Sequence, residues 1–282
     1  MVEPEVPAFT TRDGRRLHAE RHGAGAPVVV LEAGMGVSRC SWGAVIPRLA
    51  PHTTVVAYDR SGLGQSPPDG ARRDLRRLRD DLADLLEQVG PGPFVLVGHS
   101  WGGPIVRSLA AARPELVGGL VLVDQSDEGC DLYFTKAYAR QVRIGPPLMR
   151  LMVRTGLMRR FVARQARAIP EPWRTGLITE DGTLAAVAAQ AAELAASSED
   201  LRRLRDEGCP LPDVPVTYIS GGRNGWGERN RRPALVAAHR AAAASLPQGR
   251  HVVAERSTHY VPLTEPDVVA AEVLRIVEAL RR

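Results

Sequence analysis

Short, continuous apolar runs recur along this chain at residues 28–31, 54–58, 94–97 and 120–123. Each is apolar at successive positions rather than alternate ones, which predicts strands buried on both faces, as in a parallel sheet covered by helices. Between them the period changes. Over residues 72–89, Leu75, Leu78, Leu82, Leu85, Leu86 and Val89 recur at spacings of three and four, with arginines and aspartates on the other face. That spacing predicts an amphipathic helix. A weak helical stretch covers 42–49, residues 105–113 read as helix, and an Asp13-Gly14 turn within residues 8–22 predicts an opening hairpin.

From residue 128 to 212 no strand-like run occurs, and segments rich in Arg, Leu, Met and Ala take over. The alternation then resumes, with strands predicted at 216–220 and 252–255 and helices at 233–246 and 267–280. The expected fold class is therefore α/β, a mostly parallel central sheet flanked by helices. Residues 1–127 and 213–282 form the two parts of one core, and 128–212 form an inserted helical cap.

Composition changes this picture little. The chain has 282 residues and a net charge of +5, carried almost wholly by arginine. That is poor grounds for nucleic-acid binding, and none is expected. Three scattered cysteines, Cys40, Cys130 and Cys209, argue against a disulfide framework and a zinc site. The first 16 residues lack an apolar signal-peptide core, and the Ala-rich run at 184–196 is too short and too polar to span a bilayer. A cytoplasmic protein without stable membrane insertion is the expectation.

One local charge feature stands out. Nine Lys/Arg residues and no Asp or Glu lie between Lys136 and Arg167, interleaved with Leu148, Met149, Leu151, Met152, Leu157, Met158, Phe161 and Val162. The favoured reading of the arginines is the solvated face of amphipathic helices packed on the core. The sharper one is a lid over an acyl or polyketide-like substrate, its arginines drawing a carboxylate, a phosphate or a membrane surface.

The candidate chemistry centres on Gly98-His99-Ser100-Trp101-Gly102, a Gly-x-Ser-x-Gly pattern between a predicted strand and a predicted helix. This is the nucleophile-elbow pattern: a strained turn holds the serine hydroxyl out, small neighbours make room, and the new helix aims N–H groups at charge forming nearby.

With that elbow, three further segments resemble the α/β-hydrolase fold family, in its serine-esterase-like branch with a helical cap. They are Leu31-Glu32-Ala33-Gly34-Met35-Gly36, the run from Tyr58 to Ser66, and Ser257-Thr258-His259. The resemblance covers nearly all of the chain outside the cap. It implies Ser100 as nucleophile and His259, after the last strand, as general base.

The family's acid often follows the strand read here at 216–220, where Asn224 stands instead. Other members place it after the strand that follows the elbow helix, which is Asp124 here. Asp124 is favoured, with Asp127, Asn224 and Glu228 as alternatives. The oxyanion donors implied are the main-chain N–H groups of Trp101 and Met35. Glu32 stands where many relatives have His-Gly, and is expected to brace that loop. Trp101 and Trp226 hint at an aromatic-walled pocket.

The expected function is a serine hydrolase of a carboxylic ester, lactone or thioester acting through an acyl-enzyme, on a small-molecule substrate with an apolar portion. No metal and no organic cofactor are needed. An acyltransferase, a lyase or a cofactor-free perhydrolase would use the same triad, and a non-catalytic binding protein is the remaining alternative. Epoxide hydrolase and haloalkane dehalogenase chemistry is disfavoured, because those relatives use a carboxylate nucleophile where this chain has Ser100.

Overall fold

The structure, a computed structural model, describes residues 9–225 and 231–282. Among the described residues nine strands run in chain order: β1 (Phe9–Thr10), β2 (Arg16–Leu17), β3 (Ala19–His22), β4 (Val29–Glu32), β5 (Val55–Tyr58), β6 (Phe94–His99), β7 (Val117–Val123), β8 (Val216–Gly221) and β9 (Gly249–Ala254). The α-helices are α1 (Ile46–Leu49), α2 (Leu75–Val89), α3 (Gly102–Ala112), α4 (Lys136–Arg154), α5 (Leu157–Gln165), α6 (Trp173–Glu180), α7 (Leu184–Glu207), α8 (Arg231–Ala244), α9 (Val261–Thr264) and α10 (Pro266–Leu280).

Seven strands form one sheet in the order β3-β5-β4-β6-β7-β8-β9. Only β3, paired with β5, runs antiparallel. Every residue of β4 to β8 is buried, as the continuous apolar runs require. One face packs on α2 and α3 through residues such as Val30, Leu82, Leu96 and Ile105. The other packs on α1 and α10 through Leu31, Ile46, Val97 and Val273. The sheet's two covered faces hold the core.

The connections decide where a site forms. After β4 the chain turns towards β5 through α1, whereas after β6 it turns towards β7 through α3, on the opposite face. The neighbouring carboxyl ends of β4 and β6 therefore diverge into a crevice, the usual location of ligands in open α/β sheets.

Helix α2 begins with an Asp74 cap, whose side chain accepts the Arg77 N–H at 3.0 Å. Its polar face is not left to water. Asp81 and Asp84 are buried beneath the β1–β2 hairpin, where Arg15 and Arg12 pair with them at 2.5 and 2.7 Å.

Among the described residues, the stretch between β7 and β8 holds no strand and carries α4 to α7. No described helix is long and apolar enough to cross a membrane.

Candidate active site

The sharp turn from β6 into α3 puts Ser100 at φ 55°. Asp124, just past β7, has φ 42°, and these are the only non-glycine residues with positive φ among those described. Such backbone is costly for an L-residue and persists where the surroundings impose it. Here they do. Ser100 N–H donates to Val123 O at 3.0 Å, and Asp124 N–H donates to Ile219 O at 2.6 Å, so each strand end is hooked to the next. A Cβ on Gly98 would collide with the Gly102 backbone, and one on Gly102 with the Glu32 and Ala33 carbonyls. The two elbow glycines are a steric necessity.

His259 lies between β9 and α9. Its loop is held by Glu265, which accepts the Arg256 N–H at 2.8 Å and the Ser257 hydroxyl at 2.6 Å. His259 Nε2 is 3.0 Å from Ser100 Oγ, and Nδ1 is 2.7 Å from Asp124 Oδ2. An ionised Asp124 accepts from Nδ1–H, leaving Nε2 to accept the serine proton. Three residues from three strand ends thus form one hydrogen-bonded chain.

Asp124 is fully buried and accepts two more donors. Gly221 N–H reaches Oδ1 at 2.9 Å, and Arg232 Nη1 bridges both oxygens at 2.5 and 2.7 Å. Burial alone would raise this carboxyl. The hydrogen bond and charge of His259, followed by the charge of Arg232, hold it below the usual carboxylate range. Arg232 was not foreseen, and nothing in the pair Arg231-Arg232 sets it apart in the sequence.

The other acid candidates lie elsewhere. Asp127 accepts from Gln125 Nε2 and the Gly129 N–H, and Asn224 is exposed in the loop after β8. Glu228 and Trp226 lie outside the described residues.

His99 packs its ring 4.9 Å from that of His259 and donates from Nε2 to the His259 carbonyl at 2.9 Å. Burial brings its pKa down to about 3, so it is a neutral prop for the His259 loop. Two further histidines, His18 just before β3 and His22 at its end, lie on the edge strand of the sheet. Both are half-buried and flank Glu20, with Nε2 atoms 3.5 and 3.1 Å from its carboxylate.

Glu32 braces the neighbouring loop through Arg60. The Arg60 guanidinium, itself buried, binds Glu32 Oε1 at 2.5 Å and the carbonyls of Ala33 and Gly34 at 2.7 and 2.6 Å. Tyr58 donates its hydroxyl to the other Glu32 oxygen. Because a trans peptide carries its C=O and N–H on opposite sides, tying the Gly34 carbonyl to Arg60 turns the Met35 N–H away from it. A Cβ on Gly34 would lie 3.3 Å from Ser100 Cβ, so this loop runs directly beside the serine. Neither the Met35 nor the Trp101 N–H is used in the turn, loop and cap hydrogen bonds of the described residues.

A cavity of about 360 Å³ opens over Ser100 and His259, with Gly34 and Met35 on its floor and Met149, Met158, Phe161 and Val162 of α4 and α5 on its walls. The Trp101 side chain is not part of it. It is 1% exposed and packed in the core beneath the sheet, because the turn that exposes Ser100 sends the next side chain inwards. Aromatic lining comes instead from Tyr133, Tyr138, Phe161 and Tyr260.

This arrangement of sheet, elbow and crevice is that of a known class. The chain belongs to the alpha/beta hydrolase family, whose sequence profile matches residues 22–272. Over 112 residues it is 35% identical to a soluble epoxide hydrolase of Corynebacterium sp. (strain C12), covering 40% of this chain and 39% of that protein. Over 111 residues it is 41% identical to lipase LipV of Mycobacterium tuberculosis, covering 38% of this chain and 41% of that protein. A third relative, from Azorhizobium caulinodans and provisionally named carbamate hydrolase RutD, is 38% identical over 108 residues, 38% of this chain and 40% of its own. The matches thus span about two-fifths of these curated relatives. Among solved structures, the esterase EaEST of Exiguobacterium antarcticum shares the fold with a TM-score of 0.74 at 18% identity, over 97% of this chain and 100% of that one.

Proposed function

We propose that this protein is a serine-dependent hydrolase of a carboxylic ester, lactone or thioester. The observation that carries the reading is the Ser100–His259–Asp124 hydrogen-bonded chain opening on a largely apolar-walled cavity. In the first step Ser100 Oγ bonds to the substrate carbonyl carbon as its proton passes to His259 Nε2. Asp124 stays ionised and stabilises the imidazolium. The Trp101 and Met35 N–H groups receive the oxyanion, with Arg60 holding the Met35 peptide in place. The carbon–oxygen or carbon–sulfur bond to the leaving group then breaks, and His259 returns its proton to the departing alcohol or thiol. Water repeats the sequence on the acyl-enzyme and releases the acid. Residues 128–212 act as the cap that shields this chemistry and receives the apolar portion of the substrate.

Epoxide opening, named for one relative, is disfavoured on chemical grounds. A serine oxygen that opened an epoxide would become an ether, which water cannot release in the way it releases an ester, so the enzyme would stop after one event.

Intact-mass analysis after fluorophosphonate treatment tests the proposal. One adduct is expected on the wild type, none on Ser100→Ala, and slowed labelling on His259→Ala, with parallel loss of p-nitrophenyl ester hydrolysis. A folded wild type that neither labels nor hydrolyses would sink the reading.

A further inference from the structure

Helices α4 and α5 carry an outer surface that the acyl-transfer steps leave unused. At about 100° per residue, the positions of α4 sort into three stripes. Tyr138, Met149 and Met152 share the inward side, where Tyr138 is buried and Met149 lines the cavity. Beside it runs a second apolar stripe of Ile144, Leu148 and Leu151, exposed by 45, 54 and 57%. Arg140, Arg143, Arg150 and Arg154 form the third stripe along its flank, all exposed. On α5, Leu157 and Phe161 continue the apolar surface at 50 and 44% exposure, and Phe161 also lines the cavity. Five of the seven large hydrophobic residues exposed in the described chain therefore lie within residues 144–161.

The charge distribution says what covers this surface. The chain has 37 Lys/Arg and 32 Asp/Glu, and nine of those cations with none of the acids fall within residues 136–167. The remainder of the chain is therefore net negative by four, and the basicity of the whole protein resides in this segment. All nine cations are exposed. A second copy docked face to face would set one arginine stripe against another, and a nucleic acid has no use for a stripe of leucines. An anionic lipid surface satisfies both features, taking the leucines into its acyl boundary and the arginines among its headgroups.

We propose that the α4–α5 face docks this protein peripherally on anionic membranes, with the mouth of the cavity at the lipid surface. The substrate it would meet there is a neutral ester or thioester held in the lipid phase. The substrate part rests on the acyl-transfer reading above, whereas the docking does not.

Flotation with vesicles separates the two. The test uses phosphatidylcholine vesicles with and without about 30% phosphatidylglycerol, and Ser100→Ala alongside the wild type, since docking needs no catalysis. Both proteins are expected to bind anionic vesicles at least about tenfold more than neutral ones, and to be released in 0.5 M salt. Leu148→Ser with Leu151→Ser is expected to reduce binding about tenfold, and each of Arg150→Gln and Arg154→Gln about fivefold. The leucine and arginine variants should keep wild-type hydrolysis of a short water-soluble ester, which also reports that they are folded. Equal binding to both vesicle types, or none to either, would overturn the proposal. So would dimerisation in solution that the leucine variants abolish, or retention of the protein by duplex DNA in preference to anionic vesicles. Vesicle binding without ester hydrolysis would leave the docking standing and remove the proposed reaction.

Discussion

Asp124 combines three roles that pull against one another: a left-handed backbone, complete burial and a full negative charge. What reconciles them is the number of donors it meets, from His259, Gly221 and Arg232. Asp124→Asn keeps the shape but presents an amide where His259 needs an acceptor, so kcat/KM for an ester should fall by about 10³–10⁴-fold. Asn224→Ala, at the position exposed after β8, should stay within about twofold of wild type. Arg232→Gln removes the fixed charge from a buried carboxylate and should cost about 3 kcal/mol in urea unfolding. Comparing the three variants in one esterase assay and one denaturation series identifies the acid. Equal losses in Asp124→Asn and Asn224→Ala would refute the assignment.

Helix α7 is attached to the core by two buried acids within an otherwise Ala-rich sequence. Asp200 accepts the N–H of Leu75 at the start of α2, at 2.9 Å. Glu193 pairs with Arg60 at 3.0 Å and with Arg73 at 2.6 Å. Burial pushes the Glu193 carboxyl up, but the two guanidiniums more than reverse this and hold it down. Since Arg60 also holds the carbonyls of Ala33 and Gly34, α7 is joined to the loop beside Ser100 by one side chain. Arg60→Met should therefore lower kcat about tenfold or more while changing KM little, because a misaligned oxyanion donor is felt in the transition state. Glu193→Gln should destabilise the fold by about 3 kcal/mol and lower kcat as well. A KM effect in Arg60→Met with unchanged kcat would show that the loop's alignment does not depend on it.

Buried carboxyls of opposite character set the pH response of the whole molecule. Burial, then the charges of Asp59 and Glu180, raise Asp181 to about 8, and burial raises Asp200 to about 6. These groups keep their protons in the folded chain after the unfolded chain has released them, so stability falls as pH rises from about 4 towards 8. Asp124 has the opposite sign, as does Glu20, buried but held down by His18, His22 and Arg39. Their contribution is present above about pH 4 and is lost as pH falls further. The Tm should therefore peak near pH 5, and Asp181→Asn should raise it at pH 8 more than at pH 5. Thermal unfolding at the two pH values checks this, and a Tm rising from pH 5 to pH 8 would contradict it.

Periodicity in the chain was enough to define the α/β class, the strand order along the sequence, α2 and the helical stretch before β8, because continuous apolar runs and three-four spacings are local properties. The elbow glycines, with a strand before and a helix after, marked Ser100 for the same reason. Expectations based on individual side chains fared less well. Trp101 faces the core, and the apolar residues of α4 and α5 divide between a cavity wall and an open surface. Arg232 beside Asp124, Glu193 against Arg60 and His99 under His259 join residues 108 to 160 positions apart. No spacing along the chain encodes such pairs. They exist because parallel strands bring distant strand ends to one edge of the sheet, where burial forces every charge and donor to find a partner.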